Sequence, residues 1–385
     1  MKLFSTTTPL VVAILSLFIT ACNSENSETQ ESLGEKIFND KSLSKDGTQS
    51  CASCHDSQHA FTDQRTNKTS ANSKAAGAVS TGQDEKSLGD INAPSATYAA
   101  FVPDFHFDKK EKLYKGGLFL NGRSKNLVEQ AKQPFLNPAE MQTTKEKVVA
   151  KIKAKYARAM QSLYGKDIFN NVDNAFTAVA ESIAAFERTE IFSSFDSKFD
   201  NVLKGKATFT AEELRGRDLF ADEKKGNCAA CHPVPTLENT KAESLFTDFT
   251  YDNLGAPKNK KVRSLNGKGS QFVDNGLLDN PHVKDKKLKG AFRVPGLRNV
   301  AVTAPYLHNG VFENLETVVQ FYNSRDVKGA KNPETHKPWR AAEVEKNKNT
   351  DELGDLKLSR KEIKAIVAFM KTLTDKRYEH LISEN

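Results

Sequence analysis

Two segments of the chain place a pair of cysteines and a histidine at the same spacing. They are Cys51-Ala-Ser-Cys54-His55 and Cys228-Ala-Ala-Cys231-His232. Cysteines separated by two residues and followed directly by histidine form the attachment pattern of c-type haem, in which both thiols become thioethers and the histidine ligates the iron. One copy would equally suit zinc or thiol redox chemistry. Two copies favour two covalently bound haems, and zinc or redox cysteines stay the alternative.

The fifth cysteine, Cys22, ends an apolar N-terminal segment. The apolar run from Pro9 to Ile19 is too short for a comfortable membrane span and is typical of a signal peptide, which we place at residues 1–21. Its end resembles a bacterial lipobox, in which the cysteine is lipidated and becomes the new N-terminus. The alternative is an ordinary cleavable signal in which Cys22 is incidental. Both predict export to the periplasm, and Asn23 after the cysteine favours a lipid anchor in the outer membrane.

The remaining composition predicts a protein that touches the membrane only through this lipid. Charged residues make up 27% of the chain, and no second apolar stretch approaches the roughly 20 residues that span a bilayer. The formal net charge is +7, much of which haem propionates would offset. No lysine run is interleaved with aromatic residues in the manner of single-strand binders, so we predict no nucleic-acid partner.

The length and the two motifs predict two domains. A chain of 385 residues commonly forms two domains, and each haem motif would belong to one of them. Residues 22–31 are polar and lack an apolar period, which indicates a flexible tether. We assign residues 32–200 to an N-terminal haem domain and residues 201–385 to a C-terminal haem domain. Similar leucine, phenylalanine and aspartate residues precede both motifs, as expected after a duplication.

Apolar residues recur at helical spacing in several stretches and rarely alternate as in strands. The clearest stretches are Val148 to Tyr164, Val172 to Phe186 and Arg360 to Leu373. This pattern predicts an all-α fold with two cytochrome c-like domains, a haem in each, and few or no strands. Residues 68–90 are rich in small and polar residues and predict a mobile loop. Residues 257–290 are rich in lysine, glycine and asparagine and predict a surface insertion.

Seven further segments complete a pattern that extends over nearly the whole chain beyond the signal segment. They are Leu43-Ser44, Ala60 to Asp63, Gly122-Arg123, Glu129 to Ala131, Asn137 to Met141, Val294 to Val300 and Tyr306 to Gly310. Together with the two haem motifs, they resemble the bacterial dihaem cytochrome c peroxidases and their relatives, which include MauG. The resemblance implies an enzyme that reduces hydrogen peroxide at the N-terminal haem with electrons that arrive through the C-terminal haem.

The resemblance also implies a peroxide site on the haem that His55 holds. Glu140 matches the glutamate that moves a proton between the peroxide oxygens as their bond breaks, and Gln130 matches a glutamine that precedes it. The alternative for Glu140 is a solvated carboxylate in a loop. A glutamine on a helix, such as Gln130, also has many structural explanations.

Many of these peroxidases cap the resting iron of the first haem with a histidine from the loop that follows the motif. Here that loop contains no histidine. His59 is too near His55 to reach the opposite haem face. His106 belongs to a different segment, and we interpret it as a packing or surface residue. We therefore predict that the capping ligand is missing.

The second haem differs at its other axial position. Classical members carry a methionine at a set distance after the histidine that corresponds to His308, and the matching residue here is Tyr322. Tyrosine occupies this position in MauG. A hard phenolate stabilises ferric iron, whereas a softer thioether favours ferrous iron, so the exchange should lower the potential of the second haem. An ordinary helix tyrosine is the alternative, and neither Met141 nor Met370 is a convincing rival ligand.

A third departure concerns the tryptophan that lies between the haems in related proteins. Leu120 occupies the matching position, just before Asn121-Gly122-Arg123. The only tryptophan, Trp339, lies in a polar stretch and is predicted to be at the surface. Electrons must therefore pass directly between the haems or through another aromatic residue such as Phe119.

The family also holds a calcium ion between the haems. Asn92, Thr303 and Pro305 match its ligands, which are an asparagine side chain and main-chain carbonyls. Oxygen donors of this kind suit a hard divalent cation. The alternative is two turns that contain proline and bind no ion.

Three functions remain in competition. The first is a hydrogen peroxide reductase that takes electrons from a small periplasmic cytochrome c or cupredoxin. The second is a MauG-like enzyme that uses peroxide to oxidise side chains of a partner protein, and the third is an electron-transfer cytochrome without enzymatic activity. Glu140 without a capping histidine argues against the third. Tyr322 favours the second, but the loss of the tryptophan at Leu120 weakens it, so the peroxidase stands first; a homodimer is left open.

Overall fold

The computed structural model describes Met1, residues 28–72 and residues 74–382. The predicted signal peptide, the predicted lipidation site Cys22 and the tether as far as residue 27 lie outside this part of the chain. Within the described residues, none of the helices combines the length and the apolarity that a membrane crossing requires.

The described residues form ten α-helices and four very short strands. The helices are α1 Gln30–Asn39, α2 Cys51–Cys54, α3 Leu127–Leu136, α4 Lys145–Tyr164, α5 Val172–Glu187, α6 Lys198–Leu203, α7 Ala211–Ala221, α8 Lys260–Leu265, α9 Leu315–Ser324 and α10 Arg360–Lys371. The strands β1 (His106–Asp108) and β2 (Leu113–Lys115) form one antiparallel pair, and β3 (Tyr251–Asp252) and β4 (Phe292–Arg293) form another. The prediction of an all-α fold with few strands is confirmed.

The first domain is built around the close packing of α1 against α5. Leu33, Ile37 and Phe38 of α1 are buried in its core. At Gly34 the two helices touch, because a Cβ there would lie 1.9 Å from the carbonyl oxygen of Ser182. Any larger residue at this position would push α1 away from α5, and with it the segment that leads to the first haem motif.

The second domain repeats this arrangement with α7 and α10. A Cβ on Gly216 of α7 would lie 1.9 Å from the carbonyl oxygen of Ala365 on α10. Phe220, Ile366 and Phe369 are buried in the core that results. In both cases a helix that precedes the haem motif crosses a helix that follows it, and this similarity supports the duplication expected from the sequence.

Two predicted boundaries differ slightly from the structure. The helix α1 begins at Gln30, inside the predicted tether, because the Thr29 hydroxyl accepts a hydrogen bond from the Ser32 amide and caps the helix. Phe199 already packs in the second core, ahead of the predicted start of that domain at residue 201. Both shifts are one or two residues, the usual uncertainty of an element boundary.

The segment 68–90 was predicted to be a mobile loop, but it is anchored to the second domain. The carboxylate of Glu313 accepts hydrogen bonds from the Ser70 hydroxyl and from the amides of residues 71 and 72. Val79 is buried against Val262. The prediction was wrong because the partners of this segment, Glu313 and Val262, lie far away in the sequence.

The prediction of a surface insertion at residues 257–290 was also wrong. Leu277 and Val283 are buried in a cluster with Phe105 of the first domain. Arg263 is buried and forms ion pairs with Asp90 and Glu343. The many lysines of this segment cover its outer side, while its few apolar residues join the two domains.

Candidate functional site

The two haem-attachment motifs hold their histidines in the same way. His55 Nδ1 lies 2.9 Å from the carbonyl oxygen of Phe61, and His232 Nδ1 lies 2.8 Å from that of Phe246. Both phenylalanines have a positive φ, 52° and 56°, which turns their carbonyls toward the rings. When Nδ1–H donates to a carbonyl, the lone pair of Nε2 is left for a metal. Burial lowers the pKa of both imidazoles, which keeps them in the neutral form that ligates iron.

The second motif opens onto a cavity of about 330 Å³ between the domains. Among its lining residues are Cys228, Cys231, His232 and the predicted axial ligand Tyr322. Burial is the main cause that raises the pKa of the Tyr322 phenol. The phenol is therefore neutral unless a hard cation offsets the cost of its charge, and ferric iron is such a cation.

Two buried polar groups of this cavity lack a protein partner and fit a haem. Arg293 and His308 both line the cavity, and Arg293 Nε and His308 Nε2 have no hydrogen-bond partner among the described residues. The His308 ring stacks on Phe292 with the centroids 3.7 Å apart. Buried donors of this kind are normally satisfied, and the carboxylates of haem propionates would supply the missing partners.

Glu140 lies beside the first haem motif, because its charge acts on both Cys51 and Cys54. Its side chain accepts a hydrogen bond of 2.6 Å from Asn137 Nδ2. Burial raises the pKa of Glu140, and the neighbouring Asn137 and Arg123 partly oppose this shift. The pKa values of the Cys51 and Cys54 thiols are raised mainly by burial, with the Glu140 charge among the further causes. The carboxyl group is therefore near the first haem motif and half-buried, and its catalytic assignment stays a prediction.

Gln130 is on α3, but no hydrogen bond joins its side chain to the predicted site. The buried face of α3 consists of Leu127, Ala131 and Phe135, and Gln130 is half-buried beside it. Within residues 28–72 and 74–382, the side-chain amide group of Gln130 forms no hydrogen bond. The assignment of Gln130 to catalysis therefore stays a prediction.

Sequence reasoning missed the two residues that surround Glu140. Arg123 appeared only as part of a family segment, yet its guanidinium lies 3.4 Å from the centroid of the Phe119 ring and its charge acts on Glu140. Asn137 is the direct hydrogen-bond donor. Its position three residues before Glu140, next to Pro138, was the available signal, because asparagine often bonds within such turns.

The three predicted calcium ligands lie around one cavity. Asn92, Thr303 and Pro305 all line the cavity of the second haem motif. The side-chain nitrogen Nδ2 of Asn92 donates a hydrogen bond of 3.1 Å to the Ala78 carbonyl. The Oδ1 atom of Asn92 is left as an acceptor for a cation. A side-chain oxygen and main-chain carbonyls from two separate segments are the donors that calcium prefers.

The remaining aromatic and histidine predictions have mixed outcomes. His106 is exposed on β1, and His59 Nδ1 lies 2.6 Å from Asp56. The prediction that Trp339 is at the surface was wrong: the ring is half-buried and packs edge-on against Phe321, with the centroids 5.3 Å apart. Leu120 is buried and lines the cavity together with Phe119.

Comparisons with known proteins place this arrangement in a family. Residues 28–208 match the family model of the di-haem cytochrome c peroxidases. The methylamine utilization protein MauG of Paracoccus denitrificans is 44% identical over 360 residues, which cover 92% of this chain and 90% of MauG. The cytochrome c551 peroxidase of Nitrosomonas europaea is 29% identical and covers 92% of this chain and 83% of that protein.

Solved structures have the same fold. The diheme peroxidase BthA from Burkholderia thailandensis superimposes with a TM-score of 0.82 at 29% identity, over 92% of this chain and 88% of BthA. A MauG-like protein associated with microbial copper homeostasis has a TM-score of 0.65 at 28% identity, over 93% of this chain and 92% of that chain. The chain therefore belongs to the di-haem cytochrome c peroxidase family, which includes MauG, and is a dihaem oxidoreductase enzyme.

Proposed function

We propose that the protein reduces hydrogen peroxide at the haem that His55 holds, with Glu140 as the group that moves the proton. The observation that carries this proposal is the half-buried Glu140 carboxyl, which Asn137 orients beside the first haem motif. Two electrons and two protons convert one peroxide molecule to two water molecules. When haem is bound, its iron supplies the redox chemistry that this cleavage requires.

The surroundings of Glu140 suit a carboxyl group that first accepts and then donates a proton. Its raised pKa brings the carboxyl closer to the pH at which the enzyme works, and a catalytic group acts most effectively there. The Asn137 amide holds one carboxylate oxygen and leaves the other free for peroxide. The positive charge of Arg123 partly opposes the rise in the pKa of Glu140. The carboxyl group can therefore still ionise and accept a proton.

The same first step would serve a second candidate function, in which the electrons come from side chains of a partner protein. Two observations favour it: Tyr322 shares a cavity with His232, and the chain is 44% identical to a MauG. A phenolate ligand holds the second haem in oxidised states. The peroxidase function instead needs a second haem that a periplasmic cytochrome c or cupredoxin can reduce.

The proposed setting is the periplasm, with two c-type haems and a lipid anchor in the outer membrane. Export is required because bacterial c-type haem is attached outside the cytoplasm, and the N-terminal segment with Cys22 has the features of a lipoprotein signal. Contact with the membrane would then be through the lipid alone. A homodimer is compatible with this arrangement.

The fully ferric protein should react with hydrogen peroxide without prior reduction. None of the eight histidines lies in the loop that caps the first iron in related peroxidases, so that position should stay open. We expect a high-spin ferric signal by electron paramagnetic resonance (EPR) and an immediate absorbance change after peroxide is mixed in. Two low-spin haems, and no reaction until one electron is added, would contradict both the open site and the proposed peroxide chemistry.

Removal of calcium should disturb the second haem more than the first. The Asn92 side chain and the segment from Thr303 to Pro305 border the second cavity, so an ion there would hold two of its walls together. We expect a chelator to shift the absorption spectrum of this haem, and Asn92→Ala to weaken calcium binding by roughly 10–100-fold. Calorimetric titration measures the affinity. As a control, the original spectrum should return when calcium is added back but not when magnesium is added. A spectrum that does not change with the chelator would indicate two turns that bind no ion.

A further inference from the structure

Tyr98 is a buried tyrosine whose hydroxyl is bound to a carboxylate. It is 4% exposed, and its hydroxyl donates a hydrogen bond of 2.5 Å to Asp375 Oδ1. The Tyr98 hydroxyl oxygen also accepts a hydrogen bond from the Phe195 amide at 3.1 Å. Its partner Asp375 follows α10 and precedes a 3-10 helix near the C-terminus. This hydrogen bond therefore joins the two domains.

Tyr98 is connected to the loop that holds His55. The Phe61 carbonyl, which accepts from His55 Nδ1, also accepts a hydrogen bond from the Ala96 amide at 3.2 Å. The Tyr98 amide donates to the Phe192 carbonyl at 2.9 Å. The Phe192 ring in turn stacks on that of Phe61, with the centroids 4.0 Å apart. Tyr98 is therefore linked to His55, the histidine of the first haem motif, through the backbone of Ala96 and Phe61 and through the ring of Phe192.

Tyr98 is equally close to the loop that holds His232. It packs in one cluster with Leu245, the neighbour of Phe246, whose carbonyl accepts from His232 Nδ1. The side chain also lines the cavity that contains His232 and Tyr322. The tyrosine therefore lies between the structures that hold the two haem histidines.

The backbone of Tyr98 is strained in a way that its structural role does not require. Its φ of 61° is in the left-handed region, which is unusual for a bulky residue and is often retained at functional sites. The second domain has a matching residue, Asn299, with φ 63° before a similar 3-10 turn. Asn299 also donates to Asp375, at 2.9 Å. Asparagine tolerates this conformation, so a tyrosine is not needed merely to form the turn or to bind Asp375.

Two other residues that line this cavity are poorly suited to carry electrons. Leu120 has no aromatic ring, and Phe119 has no proton that it can release to lower the cost of oxidation. Tyr98 has both an oxidisable ring and a proton acceptor in contact. We propose that Tyr98 and Asp375 form a proton-coupled electron relay between the two haem sites, an inference that rests on the proposed peroxide chemistry.

The relay step is balanced within the two side chains and the oxidised haem. The Tyr98 phenol gives one electron to a haem that peroxide has oxidised, and its O–H bond breaks as the proton moves to Asp375 Oδ1. The products are a neutral tyrosyl radical and a protonated Asp375. An electron from the other haem then reduces the radical, and the proton returns from Asp375 to the phenolic oxygen. Burial raises the pKa of Asp375, which makes this carboxylate a better proton acceptor.

Tyr98→Phe tests the relay, and Tyr156→Phe is its matched control. The Tyr156 hydroxyl also donates to a carboxylate, Asp40 Oδ2, at 2.8 Å, but Tyr156 packs on the core of the first domain. Each variant is produced as the dihaem protein with ring-deuterated tyrosine and is oxidised in two ways, with hydrogen peroxide and with a ruthenium(III) photo-oxidant. Rapid freezing and EPR then detect a tyrosyl radical.

We expect a deuterium-sensitive radical signal in the parent protein and in Tyr156→Phe, and its loss in Tyr98→Phe. Asp375→Asn keeps a hydrogen-bond acceptor but cannot take the proton, so the radical should form about 10²-fold more slowly, the scale of a positioned proton acceptor. This variant also carries the test if Tyr98→Phe does not fold. A tyrosyl signal that survives Tyr98→Phe, or its absence in the parent with both oxidants, overturns the relay. If the radical forms with the photo-oxidant but not with peroxide, the proposed peroxide chemistry is wrong. The comparison of variants with the photo-oxidant then still tests the relay.

Discussion

Replacing Tyr322 with methionine should raise the reduction potential of the second haem by on the order of hundreds of millivolts, since axial ligands set haem potentials over a range of about 0.8 V. A phenolate stabilises ferric iron, and a thioether favours ferrous iron. Tyr322 and His232 share one cavity, which is the arrangement that two axial ligands of one haem require. A spectroelectrochemical titration measures the shift.

Two further variants make this test specific. Tyr322→Phe should open the axial position and make the second haem high-spin or water-bound. Tyr306→Phe is the control, because Tyr306 lines the same cavity but donates to the Val300 carbonyl. If Tyr322→Phe keeps the low-spin spectrum and Tyr322→Met keeps the potential, another residue ligates the iron.

The direction of the shift would also separate the two candidate functions. A second haem of higher potential accepts electrons from a donor cytochrome more readily, so Tyr322→Met should gain peroxidase turnover with such a donor. It should lose the ability to oxidise side chains of a partner protein.

Replacing Glu140 with glutamine should slow the reaction with peroxide by about 10²-fold or more, the usual contribution of a positioned acid–base group. Glutamine preserves the size of the side chain and a hydrogen bond to Asn137, but it cannot accept the peroxide proton. Both haems should remain attached and the protein folded. Stopped-flow absorbance after mixing with peroxide measures the rate.

The pH dependence of this rate gives a second signature of Glu140. Burial raises its pKa, and the carboxylate form is the one that accepts the proton. The rate in the parent protein should therefore fall as the pH decreases through this raised pKa, and Glu140→Gln should lose that dependence. Glu129→Gln is the control, because Glu129 lies exposed on α3 and pairs with Lys132. A Glu140→Gln variant with the parent rate would return Glu140 to a structural role.

The sequence predicted those parts of the site whose chemistry is local. The two haem motifs were recognisable because attachment requires cysteines and histidine within five consecutive residues. The helices at residues 148–164, 172–186 and 360–373 were predicted within a few residues of their observed bounds, because each has an apolar face that repeats at helical spacing.

Predictions from composition failed where distant contacts decide the structure. The segments 68–90 and 257–290 were predicted to be a mobile loop and a surface insertion, yet each is bound to the other domain through residues such as Glu313 and Arg263. Trp339 was predicted at the surface but packs against Phe321. A high content of lysine and glycine indicates that one side of a segment is exposed to solvent. It does not show which residues the few apolar side chains of that segment contact.

The sequence by itself therefore predicted the two c-type haems, the helical fold and the candidate ligands, because these predictions depend on residue type and short spacing. The tertiary structure alone decided which groups meet. Glu140 acquires its raised pKa from burial, and Arg293 Nε and His308 Nε2, which border one cavity, have no hydrogen-bond partner in the part of the chain that the structure describes. Tyr98 meets Asp375 across 277 residues of sequence. Such contacts arise only when the two domains pack together, since no local pattern specifies which side chains the packing will bring within a hydrogen bond of each other.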